Sequence, residues 1–283
     1  MAKESGAESP VFPLCRVVLD EGLCTGEVPG GNAEVPNWKK LLDADGKTAV
    51  REAERAIVAR SSLADQDYVS NVLQLFAHWA LDLPASENHH HARPYGLFRH
   101  SAEVASATVQ DLQERWSPGR GCILPPAEQA LWLKVAFALG LLHDCGKILD
   151  LDVRGSLPGP CWDPFGESLA AWKSRHGKDA LAPTSYQFRP GRGLTGHEQK
   201  GIRLLEVILA GPRWNRLRPP LAAAYRAFVL RHQGPDPRAA VPLAYLAERV
   251  HQADILSARR DRRKARHREQ EDLVPEKNPS GRL

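Results

Sequence analysis

The sequence predicts an all-α protein: a helical bundle carrying an extended N-terminal arm and one long irregular loop. Three observations predict it. From about residue 37 onward, apolar residues recur at three- and four-residue spacing, as in helices that bury one face. The Pro- and Gly-rich first 36 residues, with short β-branched runs such as "CRVVLDEG", read as an extended arm or small hairpin. Prolines or glycines mark the ends of several of the periodic stretches.

In chain order, "NWKKLLDADGKTAVREAERAIVARSS" and "DQDYVSNVLQLFAHWALDL" are the first two helices, by their apolar spacing. A histidine-rich stretch, "ENHHHARPYGLFRH", then opens a long amphipathic segment, "YGLFRHSAEVASATVQDLQERW". "PPAEQALWLKVAFALGLLHDCGK" starts after prolines and ends at a glycine, as a buried helix would. From about 150 to 195 the chain is thick with Pro, Gly and Trp, and a loop of that length usually serves a function or is disordered. "GHEQKGIRLLEVILAG", "PPLAAAYRAFVLRHQG" and "VPLAYLAERVHQADILSARRDRRKAR" complete the bundle. This divides the chain into an arm (1–36), a helical domain (37–258) and a basic, disordered tail (259–283).

That basic end holds more than the whole chain's net charge of +4, for "RRDRRKARHR" sets seven Lys/Arg against one Asp. Such a cluster can contact phosphate, and a solvated helix end explains it equally well. No apolar run nears the roughly 20 residues that cross a bilayer. "MAKESGAESP" lacks the basic-then-apolar order of a signal peptide. The five cysteines form no CxxC pair, which argues against a zinc ribbon and for a reduced, cytoplasmic protein.

"LLHDCGK" carries the sharpest chemical signal. An imidazole and a carboxylate, His143 and Asp144, follow the apolar run "VAFALGLL". Burying both costs several kcal/mol unless a partner satisfies them, and a metal ion does so directly. His100, His197, His232 and Asp254 each lie at or near an end of another apolar-periodic segment, where a helical bundle can aim them at one core site. His100, His143, Asp144 and Asp254 suffice for one ion. His197 and His232 would add a second, with Asp144 bridging. Imidazole and carboxylate ligands suit Mn, Fe, Co, Ni, Zn or Mg. Two such ions can hold a phosphate and lower the pKa of a water.

A His, then a His-Asp pair, then a distant Asp, with two histidines between, resembles the HD superfamily of metal-dependent phosphohydrolases. The resemblance implies that His100, His143, Asp144 and Asp254 are metal ligands, with His197 and His232 holding a second ion. It also implies that Lys147, the lysine of "HDxGK", acts with Asp144 in catalysis and reaches toward substrate phosphate. A closer likeness spans about residues 37 to 256. "LPASENHHHARPYGLFRHSAEVA", "LLHDCGK", "WDPFGESLAAWKSRHG" and "YQFRPGRGLTGHEQ" look, in that order, like the N-terminal HD domain of MobH-type, or TraI-type, conjugative relaxases. That likeness implies DNA as substrate and other conjugation or relaxosome proteins as partners.

The histidine triplet is the conspicuous feature, yet adjacent residues on a helix point apart and cannot all ligate one ion. His89, His90 and His91 are therefore expected to line the pocket, binding phosphate or shuttling protons. Arg189 and Arg192, in the turn "FRPGRG", could fork onto a phosphodiester. Trp162 could stack on a base or simply pack. Cys145 is expected to pack. Tyr95 is a conceivable nucleophile, although the His-hydrophobe-His metal motif of tyrosine relaxases is absent.

The function expected is metal-dependent cleavage of DNA phosphodiesters by a nuclease. The alternatives are a nucleotidase or cyclic-nucleotide phosphodiesterase, which would need a closed pocket, and a non-catalytic DNA-binding accessory module.

Overall fold

The structure, a computed structural model, describes residues 44–60, 65–80, 82–88, 91–116, 126–154, 161–176, 185–189, 196–231 and 241–272. The expected N-terminal arm, His89, His90, Arg192 and His232 lie outside them. The fold is all-α apart from one two-stranded antiparallel sheet. No helix among the described residues is long and apolar enough to cross a membrane.

The described residues form eight α-helices, all but α5 in segments the sequence pattern picks out: α1 (Ala44–Arg60), α2 (Gln66–Ala80), α3 (Gly96–Arg115), α4 (Pro126–Leu142), α5 (Leu169–His176), α6 (His197–Ile208), α7 (Arg218–Leu230) and α8 (Val241–Asp272). The near-uniformly apolar α4 is the central rod. Val135, Ala136, Phe137, Ala138, Leu139, Leu141 and Leu142 are all fully buried, as expected of a helix hydrophobic on every side. Burying each large side chain contributes roughly 1.5–3 kcal/mol.

Helix α3 packs along α4. Its buried face runs Leu97, His100–Ser101, Val104–Ala105, Thr108–Val109 and Leu112, the three- and four-residue spacing of one helical side. The two axes approach closely because α4 carries Gly140 at the crossing. A Cβ there would stand 2.7 Å from the Cα of Ala105. Helix α8 also packs on α3, and on α7 as well.

Asp65 caps α2, its Oδ1 accepting the Tyr68 N–H at 2.9 Å while Oδ2 takes a proton from Lys134 of α4 at 2.7 Å. Within the same helix, burial pushes the His78 imidazole down to about 4, and its Nε2 has no hydrogen-bond partner among the described residues. The folded state therefore holds His78 neutral, while the unfolded chain protonates it near 6.5. Stability from this group is intact above about pH 6.5 and declines as pH falls toward 4, because only the unfolded state takes the proton. Urea unfolding at pH 7 and pH 5 should show a loss of roughly 1–2 kcal/mol in the wild type. That difference should shrink in His78→Gln.

The stretch expected to be irregular is more ordered than its composition suggests. Strands β1 (Leu151–Arg154) and β2 (Ser185–Phe188) pair antiparallel, Leu151 opposite Phe188 and Arg154 opposite Ser185. Helix α5 lies between them in sequence and packs on α2. Trp162 is buried, donates Nε1–H to the Glu167 carbonyl at 3.0 Å and leans on Trp79. It is a packing residue rather than an exposed stacking platform. Helix α8 also runs past the expected end of the folded domain, so residues 259–272 are helical and not a disordered tail.

Candidate metal centre

Four of the expected ligands converge. His100 comes from α3, His143 and Asp144 from the turn after α4, and Asp254 from α8. One ligating atom from each lies within 4.8 Å of all the others. His100 Nε2 is 3.2 Å from Asp144 Oδ2 and 3.1 Å from Asp254 Oδ1. His143 Nε2 stands 3.3 Å and 3.9 Å from the same two oxygens. Both imidazoles are completely buried and Asp144 is 4% exposed, so the cluster is closed on the protein side. The side chain of Asp254 is more open, at 28% exposed, which gives the site its mouth.

His143 is fixed on several sides. Its Nδ1 hydrogen-bonds the Gly140 carbonyl, an acceptor, at 2.8 Å, so Nδ1 carries the proton and Nε2 points at the carboxylates. The Phe228 ring meets its imidazole edge-on at 5.7 Å. Tyr225 of α7 donates its hydroxyl to the His143 carbonyl at 3.1 Å. Buried Nε2 makes no hydrogen bond of normal geometry among the described residues.

The electrostatics are those of concentrated opposite charges. Burial disfavours the charged His143 imidazolium, but the carboxylates of Asp144 and Asp254 outweigh it and push His143 up to about 10. Burial also opposes ionisation of Asp144, yet Lys147, His143 and His100 hold it well below the usual carboxylate range. Asp254 is likewise lowered, burial being overcome by the adjacent imidazoles of His100 and His143. Lys147 places its ammonium 2.5 Å from Asp144 Oδ2. Burial acts against that charge and the Asp144 carboxylate more than restores it, raising the lysine.

Two imidazoles and two carboxylates around one point fit a hard or borderline divalent cation. The donor set, the burial and a His143 Nε2 without a hydrogen-bond partner among the described residues pass the test that such an ion sets. His100, His143, Asp144 and Asp254 could hold a metal ion.

His197 opens α6 beside this group rather than within it. Its Nε2 is 3.6 Å from the other oxygen of Asp144, and its Nδ1 is 4.0 Å from Asp150 Oδ2. Gly196 precedes it with φ +46°, a left-handed turn that glycine enters without strain. The 3-10 helix Cys145–Asp150 lies directly on α6. That approach requires Gly146, whose Cβ would fall 1.9 Å from the His197 carbonyl oxygen. Gly201 repeats the device, since a Cβ there would stand 2.1 Å from the Tyr225 hydroxyl. Cys145 packs as expected. It is fully buried, near the Gly201 carbonyl and the Tyr225 hydroxyl, and burial pushes its thiol up to about 12.

The family comparison now has its context. A model of the TraI_2 family, described as "Putative helicase", matches residues 48–268. The chain belongs to the TraI_2 family. The matched segment spans every described element of the cluster, from α3 to α8. Membership bears out the TraI-type kinship read from the spaced motifs. No curated protein and no solved structure gives a significant match.

The remaining expected residues of this TraI_2 chain fall elsewhere. His91, at φ +52°, is the one member of the triplet that is described. Its side chain is 7% exposed, and its ring centroid lies 5.2 Å from that of His100. Burial, with help from the neighbouring His100, lowers its pKa. Its Nε2 faces Ser257 Oγ at 3.4 Å and Glu103 at 3.8 Å. Arg189 is held on the sheet, its Nε donating to Asp152 Oδ1 at 2.7 Å and its backbone N–H to the Asp150 carbonyl at 2.9 Å. Tyr95 is buried at the start of α3 in a left-handed conformation, φ +63°.

Sequence reasoning overlooked Asp150, Glu103 and Ser257. Spacing could have pointed to the last two, since each lies three residues after a ligand on its own helix and so shares its face.

Proposed function

We propose that this chain is an HD-type metal-dependent phosphohydrolase that cleaves DNA phosphodiesters, in the manner of a conjugative relaxase HD domain. One observation carries the reading: four donor atoms from three separate regions of the fold lie within 4.8 Å of one another, with a lysine ammonium on their shared carboxylate. TraI_2 membership supports conjugation and DNA as the setting.

In this reading His100, His143, Asp144 and Asp254 hold a divalent ion. His197 and His232, the latter outside the described residues, would hold a second one together with Asp144. The ions supply Lewis-acid charge for phosphoryl oxygens and lower the pKa of a water. The chain supplies the rest. Asp144 and Asp254 keep their negative charge because the surrounding imidazoles and Lys147 stabilise it. Lys147 keeps a positive charge beside the cluster, placed to offset charge developing on a phosphate. The buried walls formed by α3 and α4 exclude water on the inner side, which strengthens each of these interactions. His89, His90, Arg189 and Arg192 are proposed phosphate contacts at the substrate side. The run of cations on α8, exposed from Arg262 to Arg266, supplies sequence-independent attraction to a nucleic acid backbone.

The test is metal analysis of the purified chain combined with an activity panel of single-stranded DNA, duplex DNA and mononucleotides. A His143→Ala/Asp144→Ala double variant is the control. The expected result is bound transition metal and DNA cleavage, both lost in the double variant. Preferential hydrolysis of mononucleotides would replace DNA with a nucleotide substrate. A wild type without metal, or a double variant of equal activity, would remove the phosphohydrolase reading.

A further inference from the structure

Behind His100, on the side away from the carboxylates, lies a second set of polar groups that neither metal ligation nor phosphate binding uses. His100 Nδ1 is 3.1 Å from Ser257 Oγ. Ser257 is 3% exposed and donates its hydroxyl proton to Glu103 Oε2 at 2.7 Å. His91 Nε2 approaches the same hydroxyl oxygen at 3.4 Å. Glu103 lies on α3, one turn after His100, and Ser257 lies on α8, one turn after Asp254. The pair thus ties together the two helices that carry the ligands.

The direction of these bonds follows from counting protons. A serine hydroxyl has one proton and two lone pairs, and a carboxylate only accepts. With that proton given to Glu103, Ser257 Oγ can only accept from His100. His100 must then carry its proton on Nδ1, which leaves Nε2 with a lone pair aimed at Asp144 and Asp254. If the hydroxyl turned the other way, Nδ1 would be the bare nitrogen and Nε2 would present a proton to the cluster. We propose that Ser257 and Glu103 are positioning residues that fix His100 in the tautomer able to ligate a metal. This inference rests on the metal-centre reading above.

Partners of this kind also raise the basicity of the ligand, and their removal weakens metal binding by about 10–100-fold. Four variants of the full-length chain test the idea: Ser257→Ala, Ser257→Thr, Glu103→Ala and Glu103→Gln. After metal removal each is titrated with Co(II), whose visible absorption reports coordination, and its metal-free melting midpoint is recorded. Ser257→Ala and Glu103→Ala should bind Co(II) about 10–100-fold more weakly than wild type. Ser257→Thr keeps the hydroxyl, and Glu103→Gln keeps an acceptor oxygen, so both should recover most of the affinity. A purely structural role would instead lower the melting midpoint and leave Co(II) affinity in place.

If Ser257→Ala fails to fold, the more exposed Glu103 decides through its Ala and Gln variants. Co(II) affinity within about twofold of wild type in Glu103→Ala, well below the loss expected of such partners, overturns the relay while the metal centre stands. A wild type that takes up no Co(II) overturns the metal centre and the relay with it.

Discussion

Asp144→Asn should reduce bound metal to background and lower kcat/KM for DNA by about a thousandfold. Asp144 lies beside four groups of the site. Its Oδ2 lies near His100, His143 and Lys147, and its Oδ1 faces His197. An amide keeps the shape but removes the charge, so the several kcal/mol of charge stabilisation expected from a metal site are lost, at 1.36 kcal/mol per factor of ten. The variant also leaves Lys147 without its counter-ion in a nearly closed setting. Removing one partner of a buried pair costs about 3–5 kcal/mol, so the melting midpoint should fall as well. Elemental analysis, steady-state kinetics and thermal unfolding check the three effects separately. A variant that retains its metal would move the bridging role to another residue.

Gly146→Ala should damage both the fold and the site with a single methyl group. The added carbon would lie 1.9 Å from the His197 carbonyl oxygen, a backbone atom that cannot swing aside. Either the 3-10 helix or the start of α6 must move, and both carry residues of the centre. Overpacking of this kind costs about 1–3 kcal/mol, which lowers the melting midpoint by about 2–4 °C per kcal/mol in a domain of this size. Activity should fall further than stability does, because the shift separates His197 from Asp144. Gly211→Ala is the matched control, since its nearest neighbour would be Trp214 Cδ1 at an ordinary 3.7 Å. Equal behaviour of the two variants would show that α6 yields without consequence.

Most of the helices and the residues of the central cluster were legible in the sequence, the latter for one physical reason. A histidine or carboxylate at the end of an apolar run is conspicuous because burial penalises it, and His143, Asp144, His100 and Asp254 all have that setting. The four-residue strands were not legible. They are too short to express an alternating period, and their pairing depends on a contact between segments more than thirty residues apart. Glu103 and Ser257 were hidden differently. They are ordinary polar residues on amphipathic helices, and only the meeting of α3 with α8 turns them inward. The extent of α8 was partly legible: the helical pattern reads on through "RRDRRKAR" although its composition is that of a tail, and α8 carries it as helix to Asp272. Its single acid, Asp261, accepts the His91 backbone N–H at 2.7 Å, so even the charged run has an inward-facing side.

Helix α8 spans 32 residues without a break, about 48 Å at 1.5 Å per residue. Asp254, Ser257 and Asp261 succeed one another on its inner side, and the arginines beyond them belong to the same rod. Such an element transmits rotation with little loss. A roll of 20° about its axis would carry an atom 5 Å off that axis through roughly 2 Å, more than the tolerance of a metal–oxygen bond. A partner gripping the cationic end would therefore hold the same rod that carries the Asp254 carboxylate, and Asp261 ties that rod to the histidine loop through the His91 backbone N–H.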